Sequence, residues 1–460
     1  MMPEGNRGRS GVILGTVREC PEAAVARTHA PIGVLDSVDV SVVATTPPQL
    51  AVRTVPLRDG RDLLEHLPSD APLAWVHRGD GLVAWGEAAR FTWPGDDVGD
   101  GTQRFTAAAR WLAEAASGTD VEDEVNLPGS GMVAFGGFTF DGRSAGSTLV
   151  IPRIVIGRRA DQSWLTTIGD RRGAHPGEIL ASCTPSRPIG PLTWTEGSIP
   201  AAEWGEAVAT AVRHIRSGEI AKVVLARDVY AQAERDIDVR TVLRRLTRDY
   251  PGCYTFSVDG MVGATPELLI RREGDGVGSL VLAGTRPRGT TPAEDERLAA
   301  ELTESAKDLE EHEYAIDSLR AALAPLAATV ETPDRPRLLR LPNVQHLASP
   351  ARATLRPGVS TLDVVAALHP TAAVGGTPTA AAVELIRDLE GMDRGRYAGP
   401  VGWIDAQGNG EWGIALRCAH ISQSRARLFA GCGIVAGSNP EAELAEADSK
   451  FQVMRQALTD

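Results

Sequence analysis

Short apolar, strand-like runs recur along almost the whole chain, with helical stretches set among them, and this alternation limits the fold more than any other feature. Residues 31–190 carry LAWVH (73–77), GLVAWG (81–86), MVAFGGFTF (132–140) and STLVIPRIVIGR (147–158), interrupted by one helical stretch, TQRFTAAARWLAEAA (102–116). Pro and Gly crowd residues 172–200, where PSRPIGP marks a linker or crossover. A helix from Ala201 to Ser217 then carries Trp204, Val208, Val212 and Ile215 at helical spacing. It is followed by a strand (221–231), a helix (238–249), strands around CYTFSVDG and MVGATPELLIRR, and a strand at 278–285. A long helix from about Glu294 to Leu323 has Leu302, Leu309, Ile316 and Leu323 as its core-facing stripe. The last third holds a helix (379–390), strands in VGWIDA, WGIALRCAHI and RARLFAGCGIV, and a final helix (440–458). The pattern predicts an α+β fold of mostly antiparallel strands with helices packed over them.

At 460 residues the chain exceeds what one small core organises. The expected divisions are a disordered lead (1–28), a β-rich N-terminal part (29–195) and a second part (200–460) that packs as one compact unit. A net charge of −13 leaves no basic surplus to neutralise phosphates, which argues against nucleic acid. Cys20, Cys183, Cys253, Cys418 and Cys432 are scattered and form no C-x-x-C pair. That usage suits a reducing compartment and offers neither a zinc site nor a disulfide framework. No apolar run reaches the length of a membrane span. MMPEGNRGRSG lacks the apolar core of a signal peptide. A cytoplasmic protein with no membrane partner is expected.

Two acidic pairs carry the strongest hint of chemistry. Asp308 and Glu311 lie in AKDLEEHEYAIDSL, and Glu443 and Glu446 lie in NPEAELAEADSKF, with Lys450 one turn on. Each i, i+3 spacing puts both carboxylates on one helical face. Two such faces brought together repel unless a cation sits between them, and hard oxygen ligands that leave room for water and an anion suit Mg²⁺. Taken singly, the bland reading is favoured: a solvated helix face for Asp308 and Glu311, and acids favoured at a helix N-terminus for Glu443 and Glu446.

Two further residues stand out by placement. Lys222 sits among Val223, Val224 and Leu225, where a cleft would lower its pKa toward that of a base; an edge-strand lysine reads the same way. Glu267 lies among apolar residues in ATPELLIRR, where burial would keep it protonated as an acid. His346 and His369 sit beside apolar residues, as core histidines commonly do. The runs GCGIVAG, GNGEWG and AVGGTP lack the strand–GxGxxG–helix order of a dinucleotide site and read as turns.

Over residues 200–458 the motifs KVVLAR, TPELLIRR, LAGTRPRG, KDLEEHE, QHLASP, LHPTAAVGGTP, YAGPVGW, DAQGNGEW, LRCA, RLFAGCGIV and AELAEADSK occur in one order. Together they resemble the chorismate-utilising enzymes. The resemblance implies a large, mostly antiparallel sheet sandwich with helices outside, chorismate as substrate and Mg²⁺ as cofactor. It implies Lys222 and Glu267 as catalytic base and acid, and Glu311, Glu446, Asp308 and Glu443 around the metal. It implies substrate binding by Gly284, Thr285, His346, Ala373, Arg417, Gly431, Gly433 and Lys450.

The members of that family differ in the nucleophile. Enzymes that add ammonia carry glutamine where this chain has Lys222, so lysine points to water. Aminodeoxychorismate synthases place a nucleophilic lysine where this chain has Ala283. Salicylate-forming members usually have threonine where this chain has Ala373. The resemblance therefore implies conversion of chorismate to isochorismate, for menaquinone or siderophore synthesis. It also implies no glutaminase subunit and a monomer or weak homodimer. A salicylate synthase and a catalytically silent chorismate-binding subunit are the alternatives. N-terminal LAWVHRGDGLVAWGEAARF and STLVIPRIVIGRR fit the same branch. LLEH (63–66) lacks the serine of the feedback-inhibition motif of anthranilate synthases.

Overall fold

The computed structural model describes residues 48–95, 101–169, 184–340 and 344–459. They all belong to one unit, Val40–Asp460. The expected disordered lead (1–28) and residues 172–183 of the expected linker lie outside the described residues, as do Cys20 and Cys183.

Two large sheets organise the described residues. One has 13 strands and the other 10. All pairings are antiparallel except that of Ala51–Pro56 with Asp120–Asp123. Both sheets mix early and late sequence. In the larger, Leu73–His77 pairs with Tyr254–Val258, setting Trp75 opposite Phe256. In the smaller, Val133–Gly137 pairs with Pro400–Asp405, setting Phe135 opposite Trp403. Nearly continuous apolar strands result, because both sides are covered. Strands Val133–Gly137, Ser147–Ile151, Tyr254–Val258, Met261–Thr265 and Pro400–Asp405 are buried at every position. Trp75, Trp164, Trp204 and Trp412 are fully enclosed in the core.

Local chemistry sets the helix ends. Asp238 accepts from Arg240 N to start Val239–Asp249, and Thr291 accepts from Glu294 N to start Pro292–Glu304. Ser360 and Asp363 form a reciprocal capping box at Thr361–Leu368, a helix the hydrophobic pattern did not reveal. The final helix, Pro440–Thr459, opens on Glu441 and Glu443 and packs on strand Arg425–Ile434.

Three expectations are corrected. The single helix expected from Glu294 to Leu323 is two helices, Pro292–Glu304 and Ala306–Leu323. Ser305 is extended (φ −68°, ψ 110°), and its hydroxyl accepts from Asp308 N, so one residue ends a helix and caps the next. STLVIPRIVIGR is two strands, Ser147–Ile151 and Ile154–Arg159, split at Pro152, which has no N–H to give to a ladder. The crossover region expected at 172–200 contains an edge strand, Leu192–Glu196, paired with Lys222–Ala233.

Candidate active site

Strand Lys222–Ala233 pairs along one edge with Arg425–Ile434, which places Lys222 beside the glycine-rich end of that partner. A Cβ at Gly433 would lie 3.1 Å from Lys222 Cε, so the lysine stem lies across that glycine. Lys222 Nζ donates to Glu311 Oε1 at 2.9 Å, and its side chain is 23% exposed.

Glu267 occupies the turn between Met261–Thr265 and Leu268–Glu273. Its N–H donates to Thr265 Oγ1 and its carbonyl accepts from Ile414 N, so the main chain is held on both sides. Loss of solvent pushes the carboxyl up to about 7, although Arg417 and Lys222 both act to lower it. Both cations therefore act on the same carboxyl.

A cavity of about 200 Å³ is lined by Glu267, Thr285, His346, Ala373, Arg417, Gly431 and Lys450. Seven of the expected site residues thus line one cavity. Gly284 makes the bulge that permits this: at φ +78° it shifts the register between Gly276–Pro287 and Val344–Leu355, setting Thr285 opposite His346. Thr285 Oγ1 and His346 Nδ1 are 2.9 Å apart. Burial, then the Arg417 charge, holds His346 down at about 4, so the ring is neutral. Arg417 has φ +48° and separates strands Gly410–Ile414 and Cys418–Ser422. Its guanidinium has no hydrogen-bond or ion-pair partner among the described residues, and it faces the cavity. Lys450 Nζ donates to Gly431 O at 2.7 Å and pairs with Glu446 Oε1 at 2.6 Å.

The four acids are separately engaged. Asp308 is buried and paired with Arg286 at 2.7 Å. Glu311 pairs with Lys222. Glu443 accepts from Ser438 Oγ at 2.7 Å. Ligand atoms of Glu443, Glu446 and Cys432 lie within 4.8 Å of one another. Burial foremost, and then the Glu446 charge, raises the Glu443 carboxyl. A hard cation beside those two carboxylates would relieve both, so this part of the donor set fits Mg²⁺. Cys432 does not fit as a ligand: burial pushes its thiol up to about 12, and a thiol is a poor partner for a hard ion.

Sequence reasoning missed Tyr250, Cys253, Arg394 and Tyr397, which also line the cavity. Tyr397 stacks on Phe429 with ring centroids 5.0 Å apart, and a Cβ at Gly431 would meet its hydroxyl at 3.0 Å. In MDRGRY the arginines stand among charged residues and read as surface. His369 is a core histidine: it is buried, and its Nε2 lies 3.0 Å from Phe140 O. LLEH forms a short 3₁₀ turn, Leu63–His66. No helix among the described residues is long and apolar enough to cross a membrane.

The family profile described as "Chorismate binding enzyme" matches residues 75–459. The chain belongs to the chorismate-binding enzymes. This chorismate-binding enzyme is 42% identical over 268 residues to isochorismate synthase DhbC of Bacillus subtilis, across 56% of the chain and 67% of that relative. It is 35% identical over 361 residues to isochorismate synthase MenF of the same organism, across 73% of the chain and 77% of the relative. Among solved structures, MenF, the menaquinone-specific isochorismate synthase from Escherichia coli, is similar with a TM-score of 0.74 at 26% identity. That likeness covers 91% of this chain and 97% of the other.

Proposed function

We propose that this chorismate-binding enzyme converts chorismate to isochorismate, with Lys222 as base and Glu267 as acid. The observation that carries the reading is Glu267: a carboxyl raised to about 7 on the cavity wall, with the Lys222 and Arg417 charges acting on it. Lys222, in its neutral amine form, takes a proton from water as the water oxygen bonds to ring C2. The ring double bonds shift, the C4–oxygen bond breaks, and Glu267 gives its proton to the departing hydroxyl. Water enters and water leaves, so the change is an isomerisation. Each proton-transfer role contributes roughly 10²–10⁴-fold.

Arg417 binds a substrate carboxylate, for which its planar guanidinium is suited and no protein partner competes among the described residues. Neutral His346, held by Thr285, presents a hydrogen-bonding ring without adding charge. Glu443 and Glu446 would hold Mg²⁺, Glu311 would join them if freed from Lys222, and Asp308 would be a further acid of the set. When bound, Mg²⁺ supplies the charge that anchors the ring carboxylate. Lys450 positions Gly431 and the adjoining backbone. Ala373 keeps its part of the lining small and apolar. Because water is the nucleophile, no glutaminase subunit is required, and the enzyme works in the cytoplasm.

The test is chromatography of products from chorismate and Mg²⁺ without ammonia. Isochorismate alone is expected. Salicylate with pyruvate would make the enzyme a salicylate synthase, and undiminished chorismate would make it a silent binding subunit.

A further inference from the structure

Strand Lys222–Ala233 has a continuous partner along one edge, from Val223 to Gln232. Along the other edge it pairs with Gly376–Thr377 only at Lys222 and Val223, and with Leu192–Glu196 only from Val229 to Ala233. Between them, the strand borders no other strand among the described residues. Side chains and one loop carbonyl satisfy the main-chain groups there. Val224 N donates to Gly375 O at 2.8 Å. Arg394 Nη2 donates to Val224 O at 2.7 Å, and Ala226 N donates to Glu390 Oε1 at 2.7 Å. Trp204 Nε1 donates to Ala226 O at 2.9 Å.

Glu390 and Arg394 are 1% and 3% exposed. Arg394 Nε donates to Glu390 Oε2 at 2.8 Å, and the guanidinium lies 4.1 Å from the Phe140 ring centroid. Arg394 Nη1 donates to Val374 O at 2.9 Å. One planar fork thus grips a carbonyl two residues after Lys222 and another one residue after Ala373. A buried ion pair is seldom the most stable filling of such a space. An apolar pair would leave Val224 O, Val374 O and Ala226 N–H unpartnered.

We propose that Glu390 and Arg394 are positioning residues that fix Lys222 relative to the Ala373 wall, standing in for the missing strand. The proposal rests on the isochorismate reading for its kinetic consequence. A guanidinium holds both carbonyls in one plane at a set separation, and an ammonium does not reproduce that geometry.

The full chain is compared with Arg394→Lys and Glu390→Gln, with kcat and KM for chorismate normalised to folded fraction by circular dichroism. Amide hydrogen exchange is followed at Val224 and Ala226. Arg394→Lys is expected to lower kcat at least tenfold with KM within twofold. It should also speed exchange at both amides at least tenfold, leaving Val155 and Ile156 unchanged. Glu390→Gln, which keeps shape and loses charge, should fall between, and it decides the matter if Arg394→Lys does not fold. Wild-type kcat per folded molecule, or unchanged exchange at Val224 and Ala226, overturns the proposal. A wild-type chain that makes no isochorismate overturns the functional reading instead, while the exchange data still decide whether the clamp exists.

Discussion

Lys222 Nζ and Glu311 Oε1 are 2.9 Å apart, so the candidate base and a candidate metal ligand hold each other. A carboxylate serving the metal cannot serve the lysine equally, and loading the metal therefore changes what surrounds the base. Glu311→Gln is expected to raise the Mg²⁺ concentration for half-maximal activity at least tenfold. Activity measured across a Mg²⁺ titration checks this, and an unchanged midpoint removes Glu311 from the metal set.

Glu267 gives a pH signature with a definite sign. Its carboxyl must be protonated to act as an acid, so kcat/KM should fall as pH rises through about 7. Glu267→Gln should lose roughly 10²–10⁴-fold in kcat and lack that limb. For stability, the folded value exceeds the unfolded one, so the folded state binds more protons between about 4.5 and about 7. Stability from this group is therefore present at low pH and declines across that window. Glu267→Gln should raise Tm above pH 7 and give no gain near pH 4.5, as thermal melts at the two pH values will show.

Arg417 lines the cavity, and its guanidinium has no hydrogen-bond or ion-pair partner among the described residues. Losing a charge-assisted hydrogen bond costs roughly 1.5–3 kcal/mol. Arg417→Met should therefore raise KM for chorismate by roughly 10–150-fold, with a smaller effect on kcat. Steady-state kinetics that show the loss in kcat alone would contradict a binding role.

Gly433 lies under the lysine stem. An added Cβ would sit 3.1 Å from Lys222 Cε, closer than a comfortable contact. Gly433→Ala should shift Lys222 by a few tenths of an ångström and reduce kcat at least fivefold with Tm nearly unchanged. Unaltered kcat would mean that the lysine position tolerates that shift.

Much of this site could be read from the sequence because charged residues stood in apolar runs. Lys222 in KVVL and Glu267 in TPELL were conspicuous for that reason; Glu267 lines the cavity, and the Lys222 charge acts on its carboxyl. Helix and strand periodicity located most elements. It misread Ser305, because Leu302 on one helix and Ile316 on the next are both buried and preserve the rhythm across the break. The partners of the acids were not readable. Arg286 for Asp308 and Lys222 for Glu311 are brought in by sheet register, which no local pattern encodes. Arg394 was hidden for the opposite reason to Lys222: Asp393 and Arg396 stand close to it in sequence, and only the fold buries it.

The pairing of Leu73–His77 with Tyr254–Val258 has a consequence for how the enzyme comes into being. The early strands acquire their neighbour only after some 180 further residues have been added, and Glu267 finds Ile414 N later still. Contacts so distant along the chain slow folding, since each closes a long loop before it is rewarded. A fragment ending before residue 410 would therefore keep the Glu267 bond to Thr265 Oγ1 but lose Ile414 N, the partner that holds the turn from its other side.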